Sequence, residues 1–401
     1  MRDDQSKRQI LNSYKMNDNK AKSGWVTKVA VFFGFFIMGF VDIVGIATNY
    51  VKIDFRLSSS LANTLPMMVF LWFAVFSIPA GILMGKIGRK KTVLLSLAIT
   101  TLAMVIPYIH YDFTWVLVAF ALLGISNTIL QVSLNPLVAS LFNKEKTASV
   151  LTTGQFIKSI SSLSGPLIVG VTSAYLENWR ITFLLFSAIS LLSVMLLSFS
   201  KIQETGYGSQ QSSFKSVLGL LKNKYILYCF LSILLIVGLD VGINTSAPEI
   251  LMKRAGLEIS RAGLGSSVYF TAKTIGTFLG AILLLKTKPF KFLRLSLIIA
   301  ILSFIPLMLG TGLWSILAAI FIIGLTCANV FSIIFSLALN KLPDRSNEIS
   351  ALMIMGVSGG AVILPIQGVV NDGFGLMASL SVLLICLILN LLFTHNLKEN
   401  V

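Results

Sequence analysis

The sequence predicts an all-α membrane protein of twelve transmembrane helices in two pseudo-symmetric halves of six. Composition is the first observation behind this prediction: 55% of the 401 residues are hydrophobic and 12% are charged, which is far more apolar than a soluble protein. The second is a series of apolar stretches of roughly 20 residues, each able to cross about 30 Å of hydrocarbon. The third is an internal repeat at an offset of about 200 residues, which indicates two copies of one unit.

The apolar stretches can be drawn twelve times along the chain. In order they cover 25–48, 61–84, 92–110, 114–140, 147–173, 181–199, 226–247, 264–285, 292–310, 314–338, 348–370 and 376–394. One long polar connection separates six stretches from the other six. The predicted organisation is an N-terminal tail (1–24), a first half (25–200), a linker (201–225), a second half (226–394) and a C-terminal tail (395–401).

The repeat places an aspartate inside an apolar run in each half. Asp42 lies in segment 39–49 and Asp240 in segment 238–245, and each is followed by a Gly-Ile pair and then an amide or hydroxyl residue. A carboxylate near the centre of a span costs several kcal/mol unless it faces protein or water. The same offset relates four further pairs, Gly81/Gly280, Lys86/Lys286, Asn127/Asn329 and Gly154/Gly356. This pattern is typical of transporters whose site lies between two repeats.

The basic residues predict the orientation in the membrane. Of the 32 Lys and Arg, 24 lie at the termini and in the even-to-odd connections, six lie on the opposite side, and two, Lys158 and Lys273, lie inside spans. This positive-inside bias predicts that both termini are cytoplasmic. It also accounts for the net charge of +16 without nucleic-acid binding. Residues 1–24 lack an apolar core, so no signal peptide is predicted and the first span directs insertion. We expect a bacterial inner-membrane protein.

Residue types that carry catalysis or bind metals are not arranged in recognisable sites. His110 and His395 are isolated, and no nucleophile–base pair or nucleotide-binding loop is found. The three cysteines, Cys229, Cys327 and Cys386, all lie in apolar spans, which favours buried thiols over disulfides. We therefore predict neither an enzyme nor a metal site, and no cofactor.

The segment after the second span carries a motif. Residues 81–91 resemble the cytoplasmic signature of the major facilitator superfamily, a glycine and an acid followed by Lys/Arg-x-Gly-Arg-Lys/Arg. The matching residues are Gly81, Lys86, Gly88, Arg89 and Lys90. Gly85 stands where the signature has its acid. The first glycine permits close helix approach, and the cations can engage helix C-termini and acids.

Further segments resemble one family within this superfamily, the fucose permease and glucose/galactose transporter group. They are 77–84, 130–138, 154–156 with 165–166, 334–338 and 356–362, and the similarity extends from about 31 to 375. The resemblance implies sugar symport coupled to a cation, a proton in fucose permease, through alternating outward-open and inward-open states.

The resemblance also implies roles for single residues. Gln155 falls on a sugar-contacting glutamine, whereas Lys158 replaces a family asparagine three residues later. Gln131 takes the place of the proton-coupling glutamate of fucose permease, as it does in glucose/galactose-like members. The family acid of the first helix aligns with Gly45, and Asp42 lies three residues earlier on the same helical face.

The second half departs from the family in one further place. Asp240 falls on a position that is often glutamate in the glucose/galactose branch. Thr277 stands where the family often has arginine, and Lys273 lies one turn before it. The predicted proton-coupling residues are Asp42 and Asp240. The predicted substrate-binding residues are Asn127, Gln131, Gln155, Lys158, Asn244, Lys273 and Asn329.

The two intramembrane lysines leave two interpretations open. Lys158 is roughly eleven residues into its span, about 16 Å at ~1.5 Å per residue, and Lys273 is similarly deep, so neither can snorkel to the surface. They either face the substrate or form structural ion pairs with the two aspartates. A cationic site would favour an anionic sugar, whereas a neutral hexose needs amides, hydroxyls and an aromatic ring.

The predicted function is import of a monosaccharide or sugar acid by symport with a cation, for which we expect H⁺. The predicted partners are that small molecule and the lipid bilayer, and the protein is expected to be a monomer. A proton-driven exporter of drugs or metabolites is the alternative, with a wider and more aromatic cavity. A third class, a non-transporting sensor, commonly has long soluble extensions, and no such extension occurs in these 401 residues.

Overall fold

The computed structural model describes residues 24–57, 61, 64–200, 202, 213–257, 264–310 and 312–398. Within them the regular elements are helices, and twelve long helical passes follow one another. They are α1 (Trp25–Met38, the 3-10 segment Gly39–Ile43, and Val44–Asp54), α2 (Thr64–Ile87), α3 (Arg89–Ile109), α4 (Phe113–Ser140), α5 (Thr147–Leu176), α6 (Ile181–Phe199), α7 (Lys224–Ala255), α8 (Leu264–Leu283), α9 (Pro289–Leu309), α10 (Leu313–Cys327 and Val330–Lys341), α11 (Ser346–Met355, the 3-10 segment Gly356–Ser358, and Gly359–Phe374) and α12 (Leu376–Lys398).

Each predicted span lies on one of these helices, and the differences are at the ends. The first helix runs to Asp54, α7 to Ala255 and α12 to Lys398, beyond the predicted ends at 48, 247 and 394. Helices can extend past the hydrocarbon into the polar interface, where hydropathy no longer marks them. The predicted tails fall largely on 1–23 and 399–401, which lie outside the described residues, as do 201 and 203–212 of the linker.

Ten candidate spans among the described residues are long and apolar enough to cross a membrane. The helices α5 and α8 are not among the ten. Each carries a lysine at mid-length, Lys158 or Lys273, together with several hydroxyl residues. Polar residues at this depth are expensive unless they face the protein interior or water. The two passes outside the ten are therefore the two that carry the intramembrane lysines.

Close helix contacts show the two-fold repeat. A Cβ on Gly124 of α4 would lie 2.8 Å from the carbonyl oxygen of Val69 in α2, and one on Gly324 of α10 would lie 2.8 Å from that of Tyr269 in α8. Both glycines and both carbonyls are 200 residues apart (324 − 124 and 269 − 69). Small residues at such crossings let helix backbones approach. The second half therefore repeats the α2–α4 packing of the first.

The first helix of each half repeats a second contact. A Cβ on Gly39 of α1 would lie 2.6 Å from the carbonyl oxygen of Lys158 in α5. Its counterpart Gly238 in α7 lies against α11, where the added Cβ would be 3.2 Å from the carbonyl oxygen of Gly359. The glycines are the first residues of the two aspartate segments, so the packing of α1 on α5 and of α7 on α11 sets the position of each aspartate.

The two halves contact each other at one end of the molecule. We call it the basic end; it is the end where α2 meets α3 at Gly88 and where α11 begins at Ser346. Ser350 of α11 donates to the carbonyl oxygen of Val132 in α4 at 2.6 Å. That carbonyl lies four residues before Pro136, which has no N–H to offer it. The opposite half thus supplies the hydrogen bond that the proline removes.

Two further contacts close the space between the halves toward the basic end. Ser149 of α5 donates to the carbonyl oxygen of Ala281 in α8 at 2.6 Å. The rings of Phe156 in α5 and Phe278 in α8 lie 5.2 Å apart. Both phenylalanines are on the basic side of the lysines in the same two helices. The structure is therefore closed at its basic end.

Part of the predicted linker forms a short helix, Phe214–Gly219, continued by the 3-10 segment Leu220–Lys222. Its Ser216 donates to Glu348 of α11 at 2.6 Å. Arg345 contacts the same Glu348 carboxylate and donates to the hydroxyl of Ser216 at 2.9 Å. The described end of the linker is thus fixed to the start of α11.

The opposite end of the first half is held by an aromatic cluster around Asp54. This carboxylate accepts hydrogen bonds from the hydroxyl of Tyr111 and, at 3.1 Å, from the indole N–H of Trp179. Burial, and then the Asp54 carboxylate, raise the pKa of Tyr111 well above its ordinary value. Tyr111 therefore stays protonated and remains a donor, tying the α3–α4 connection to the end of α1.

Candidate functional site

Asp42 lies in the 3-10 segment that interrupts α1, and its side chain is exposed. Its carboxylate accepts a hydrogen bond from the hydroxyl of Ser162 in α5. The same hydroxyl is 3.0 Å from the carbonyl oxygen of Lys158, one turn earlier in that helix. Because a carboxylate facing lipid would cost several kcal/mol, we infer that Asp42 faces water or protein.

Two buried amides stabilise the interruption of α1. Asn127 of α4 donates to the carbonyl oxygen of Met38 at 2.9 Å, where the α-helix gives way to the 3-10 segment. A change from i−4 to i−3 hydrogen bonding leaves a carbonyl without its helical partner at such a junction. Gln131 in turn donates to the Asn127 side-chain oxygen at 2.7 Å. In this structure both amides bind protein groups and thereby hold the segment that carries Asp42.

Asp240 in α7 has a different environment. Its carboxylate accepts from the hydroxyl of Tyr269, which is fully buried, and from the ammonium of Lys273 at 2.7 Å. Both donors belong to α8, one turn apart. The side chains of Asp240 and Lys273 are each 21% exposed. Asp240 and Lys273 thus form an ion pair in this structure, and their roles in coupling and substrate binding remain predictions.

Lys158 has no such partner. Its ammonium makes no hydrogen bond or ion pair with any residue in the described part of the chain, including Asp42. The side chain is half-buried near the middle of α5. Gln155, one turn before it, is also half-buried, and its side-chain amide likewise has no partner among the described residues. One face of α5 therefore presents an available amide, an available ammonium and, at Ser162, the contact to Asp42.

The two remaining predicted amides lie in the second half. Asn329 is buried in α10, where it donates to the carbonyl oxygen of Gly276 in α8 at 2.8 Å. Asn244 is half-buried in α7, and its side-chain oxygen has no hydrogen-bond partner among the described residues. Asn329 thus lies in a helix contact, and the buried side-chain oxygens of both Asn329 and Asn244 have no hydrogen-bond partner among the described residues. Their roles in substrate binding remain predictions.

The signature residues lie at the basic end. Gly81 faces α11, where an added Cβ would be 2.4 Å from the Cβ of Ala351. Gly88 has φ +91°, which suits glycine at the turn between α2 and α3. Arg89 donates to the side chains of Ser346 and Asn347 at 2.6 and 2.9 Å. This arginine therefore joins the start of α3 to the start of α11 in the other half.

Two signature lysines have different surroundings. Lys90 donates to the carbonyl oxygens of Ser198 and Ser200 at 3.1 and 2.7 Å. These carbonyls end α6, where a cation complements the negative end of the helix dipole. Lys86 is exposed in the last turn of α2.

Three polar contacts of the site were not predicted from the sequence. Ser162 and Tyr269 bind the two aspartates, and Ser350 joins the halves. The first two do carry a signal, because each lies four residues from an intramembrane lysine and hence on the same helical face. The contact of Ser350 could be predicted from Pro136 only if α4 and α11 were already known to touch, because Pro136 leaves the carbonyl of Val132 without its helical donor.

Neither metal ligands nor disulfides were found in the described part of the chain. No group of three or more His, Cys, Asp or Glu residues there could hold a metal ion. The three cysteines are free and buried.

Comparison with known proteins agrees with the family resemblance that the sequence motifs indicate. A family model described as the Major Facilitator Superfamily matches residues 30–365. The glucose/galactose transporter of Brucella abortus biovar 1 (strain 9-941) is 25% identical over 371 residues, covering 88% of this chain and 89% of that protein. The glucose/mannose transporter GlcP of Bacillus subtilis (strain 168) is 24% identical over 347 residues, covering 82% and 85%.

A solved structure has the same fold. The E. coli fucose:proton symporter FucP superposes with a TM-score of 0.81 at 19% identity, covering 94% of this chain and 99% of that one. At this level of identity the match concerns the fold, which has twelve helices in two halves.

Proposed function

Because the chain belongs to the major facilitator superfamily, we propose that it imports a monosaccharide or sugar acid by proton symport, through alternating access to a site between its halves. It is a transporter and not an enzyme. The relatives described as glucose/galactose and glucose/mannose transporters cover more than four fifths of the chain, which supports a sugar as the substrate.

The environment of Asp42 carries the proposal of proton coupling. Asp42 is exposed and bound by the Ser162 hydroxyl, whereas Asp240 is bound by Tyr269 and neutralised by Lys273. Because Lys273 already compensates the charge of Asp240, we assign the exchanged proton to Asp42, which has no cationic partner among the described residues. The segment of Asp42 packs against α5 and α4. Lys158 is the charged residue of that α5 face, and α4 contributes the neutral amide of Asn127.

Protonation of Asp42 offers a physical link to the conformational cycle. An ionised carboxylate must stay hydrated, so closing the space around it is unfavourable. A neutral acid removes that penalty, and the halves can then close at the opposite end and part at the basic end. The basic end, joined by Arg89 and Ser350 in this structure, is the end that must open to release substrate.

We further propose that the basic end is cytoplasmic and that the protein works as a monomer in the bacterial plasma membrane. The concentration of Lys and Arg at this end supports the orientation. With the basic end closed, Asp42 and Lys158 are then accessible from outside, which suits the loading step of an importer.

The first prediction is that Asp42→Asn uncouples transport. In proteoliposomes given a panel of neutral sugars and sugar acids, the wild type should accumulate its substrate when a pH gradient is imposed. Asn cannot exchange a proton but can keep the hydrogen bond to Ser162, so the variant should lose accumulation and retain counterflow exchange.

Asp112→Asn is the matched control. Asp112 is an exposed cap of α4, far from the site in the chain, and an asparagine caps a helix equally well. This variant should accumulate substrate like the wild type. Accumulation against a gradient by Asp42→Asn would refute the coupling role of Asp42.

A further inference from the structure

Four charged side chains lie near the middle of the helices described above, and they are not equivalent. Asp240 and Lys273 neutralise each other at 2.7 Å. Asp42 and Lys158 do not form an ion pair. One carboxylate and one ammonium therefore remain available on the first half of the molecule, where the sequence alone suggested two equivalent lysines.

The geometry of α5 explains why Asp42 and Lys158 do not pair. Asp42 meets α5 at Ser162, one turn after Lys158. Side chains on an α-helix lean toward its N-terminus, so Lys158 extends away from Ser162 and toward the level of Gln155. The contact of Gly39 with the carbonyl oxygen of Lys158 fixes the two helices in this register. We therefore expect the ammonium to lie nearer the basic end than the carboxylate.

From this arrangement we infer that the substrate is an anionic sugar derivative, such as a hexuronate, whose carboxylate binds Lys158. This inference rests on the proposed function. An ammonium at this depth is expensive unless water or an anion compensates it, and a neutral hexose supplies no charge. A carboxylate supplies the charge and a charge-assisted hydrogen bond. The available amide of Gln155, on the same face, can bind a sugar hydroxyl.

The charges also fit symport with one proton. With Asp42 protonated, the four groups sum to one positive charge, because Asp240 offsets Lys273. A bound monoanion makes the loaded site neutral, and a neutral site is the least costly to enclose away from water. A neutral sugar would leave Lys158 uncompensated when the site closes.

Binding to the purified full-length protein in detergent tests the inference. The probes are D-glucuronate and D-galacturonate against D-glucose and D-galactose, measured by calorimetry and by competition. The wild type should bind at least one uronate more tightly than its parent hexose. Lys158→Gln should weaken uronate binding roughly 10- to 100-fold, the usual size of a charge-assisted contact. It should leave hexose binding unchanged or stronger, and Lys158→Arg should retain most of the uronate affinity.

Lys291→Gln is the control for loss of one positive charge, since Lys291 is exposed in the first turn of α9. It should bind uronates like the wild type. If wild-type protein binds a neutral hexose and uronates do not compete, the inference fails and the proposed function stands. Equal uronate binding by Lys158→Gln and the wild type would also overturn it. If neither class binds or is taken up, the proposed function and this inference fail together. If Lys158→Gln does not fold, the uronate affinity of Lys158→Arg and the competition between uronates and hexoses on the wild type still test the inference.

Discussion

At the scale of single residues, the two aspartates show that environment separates groups of identical chemistry. Asp240 has a buried phenol and an ammonium as partners, whereas Asp42 has one hydroxyl. The Lys273 ammonium compensates the charge of Asp240, whereas no cation among the described residues pairs with Asp42. The second half thus repeats the fold of the first, but its aspartate is paired with a lysine and that of the first half is not.

The second prediction concerns the ion pair of Asp240 and Lys273. Asp240→Asn or Lys273→Gln alone leaves an uncompensated charge inside the membrane, so each should lower the melting temperature. In a fully buried pair this loss is about 3–5 kcal/mol. With 21% of each side chain exposed, we expect a smaller effect. The double variant should recover part of the loss, as measured by a thermal double-mutant cycle. Losses that simply add would contradict a direct pair.

The sequence located these charged residues and left ion pairs between the lysines and the aspartates open, but it did not indicate which of them pair. The aspartates and lysines are visible as charged residues in apolar runs, and all four lie near the middle of their helices in the structure. Their pairing was not predictable, because it depends on the register of α1 against α5 and of α7 against α8. Asp240 and Lys273 are 33 residues apart, and only the folded helices bring them within bonding distance.

At the scale of helices, the interruption of α1 is the feature that positions the site. The segment Gly39–Ile43 contains one glycine and no proline, so its 3-10 geometry has no strong sequence signal. Tertiary contacts supply the reason: Asn127 binds the carbonyl of Met38, and Gly39 packs on α5. The existence of each helix was therefore predictable from hydropathy, whereas its ends and an interruption within it were not.

The third prediction concerns the closest contact between α7 and α11. A Cβ on Gly359 would lie 1.9 Å from the carbonyl oxygen of Leu234, a backbone atom that cannot move without its helix. Gly359→Ala should therefore separate the two helices and sharply reduce the yield of folded protein and its melting temperature. Such overpacking typically costs about 1–3 kcal/mol or more.

Gly368 provides the control within the same helix. Nothing lies within 4 Å of its added Cβ. Because alanine is the better helix former by about 1 kcal/mol, Gly368→Ala should match or exceed the wild-type melting temperature. Equal stability of Gly359→Ala and Gly368→Ala would contradict the close contact.

At the scale of the whole molecule, the halves repeat their backbone packing more faithfully than their polar chemistry. Gly124 and Gly324 are 200 residues apart, and so are the residues whose carbonyl oxygens they face. Hydropathy and these small residues made the fold predictable. The closure of the basic end was not predictable from the sequence. It depends on contacts of α4 with α11 and of α5 with α8, and the repeat within each half does not specify contacts between the halves.

The last prediction concerns orientation, which the fold alone does not determine. The charge distribution predicts a cytoplasmic basic end, because lysine and arginine are retained on that side during insertion. Lys291 is exposed at the basic end, and Tyr175, 81% exposed, lies in the last turn of α5 at the opposite end. In spheroplasts, a membrane-impermeant maleimide should label Tyr175→Cys at once and Lys291→Cys only after permeabilisation. The unmodified protein is a suitable background, since its cysteines are buried. The reverse pattern would invert the topology and turn the closed end of this structure toward the outside, so the proposed loading step would no longer be import.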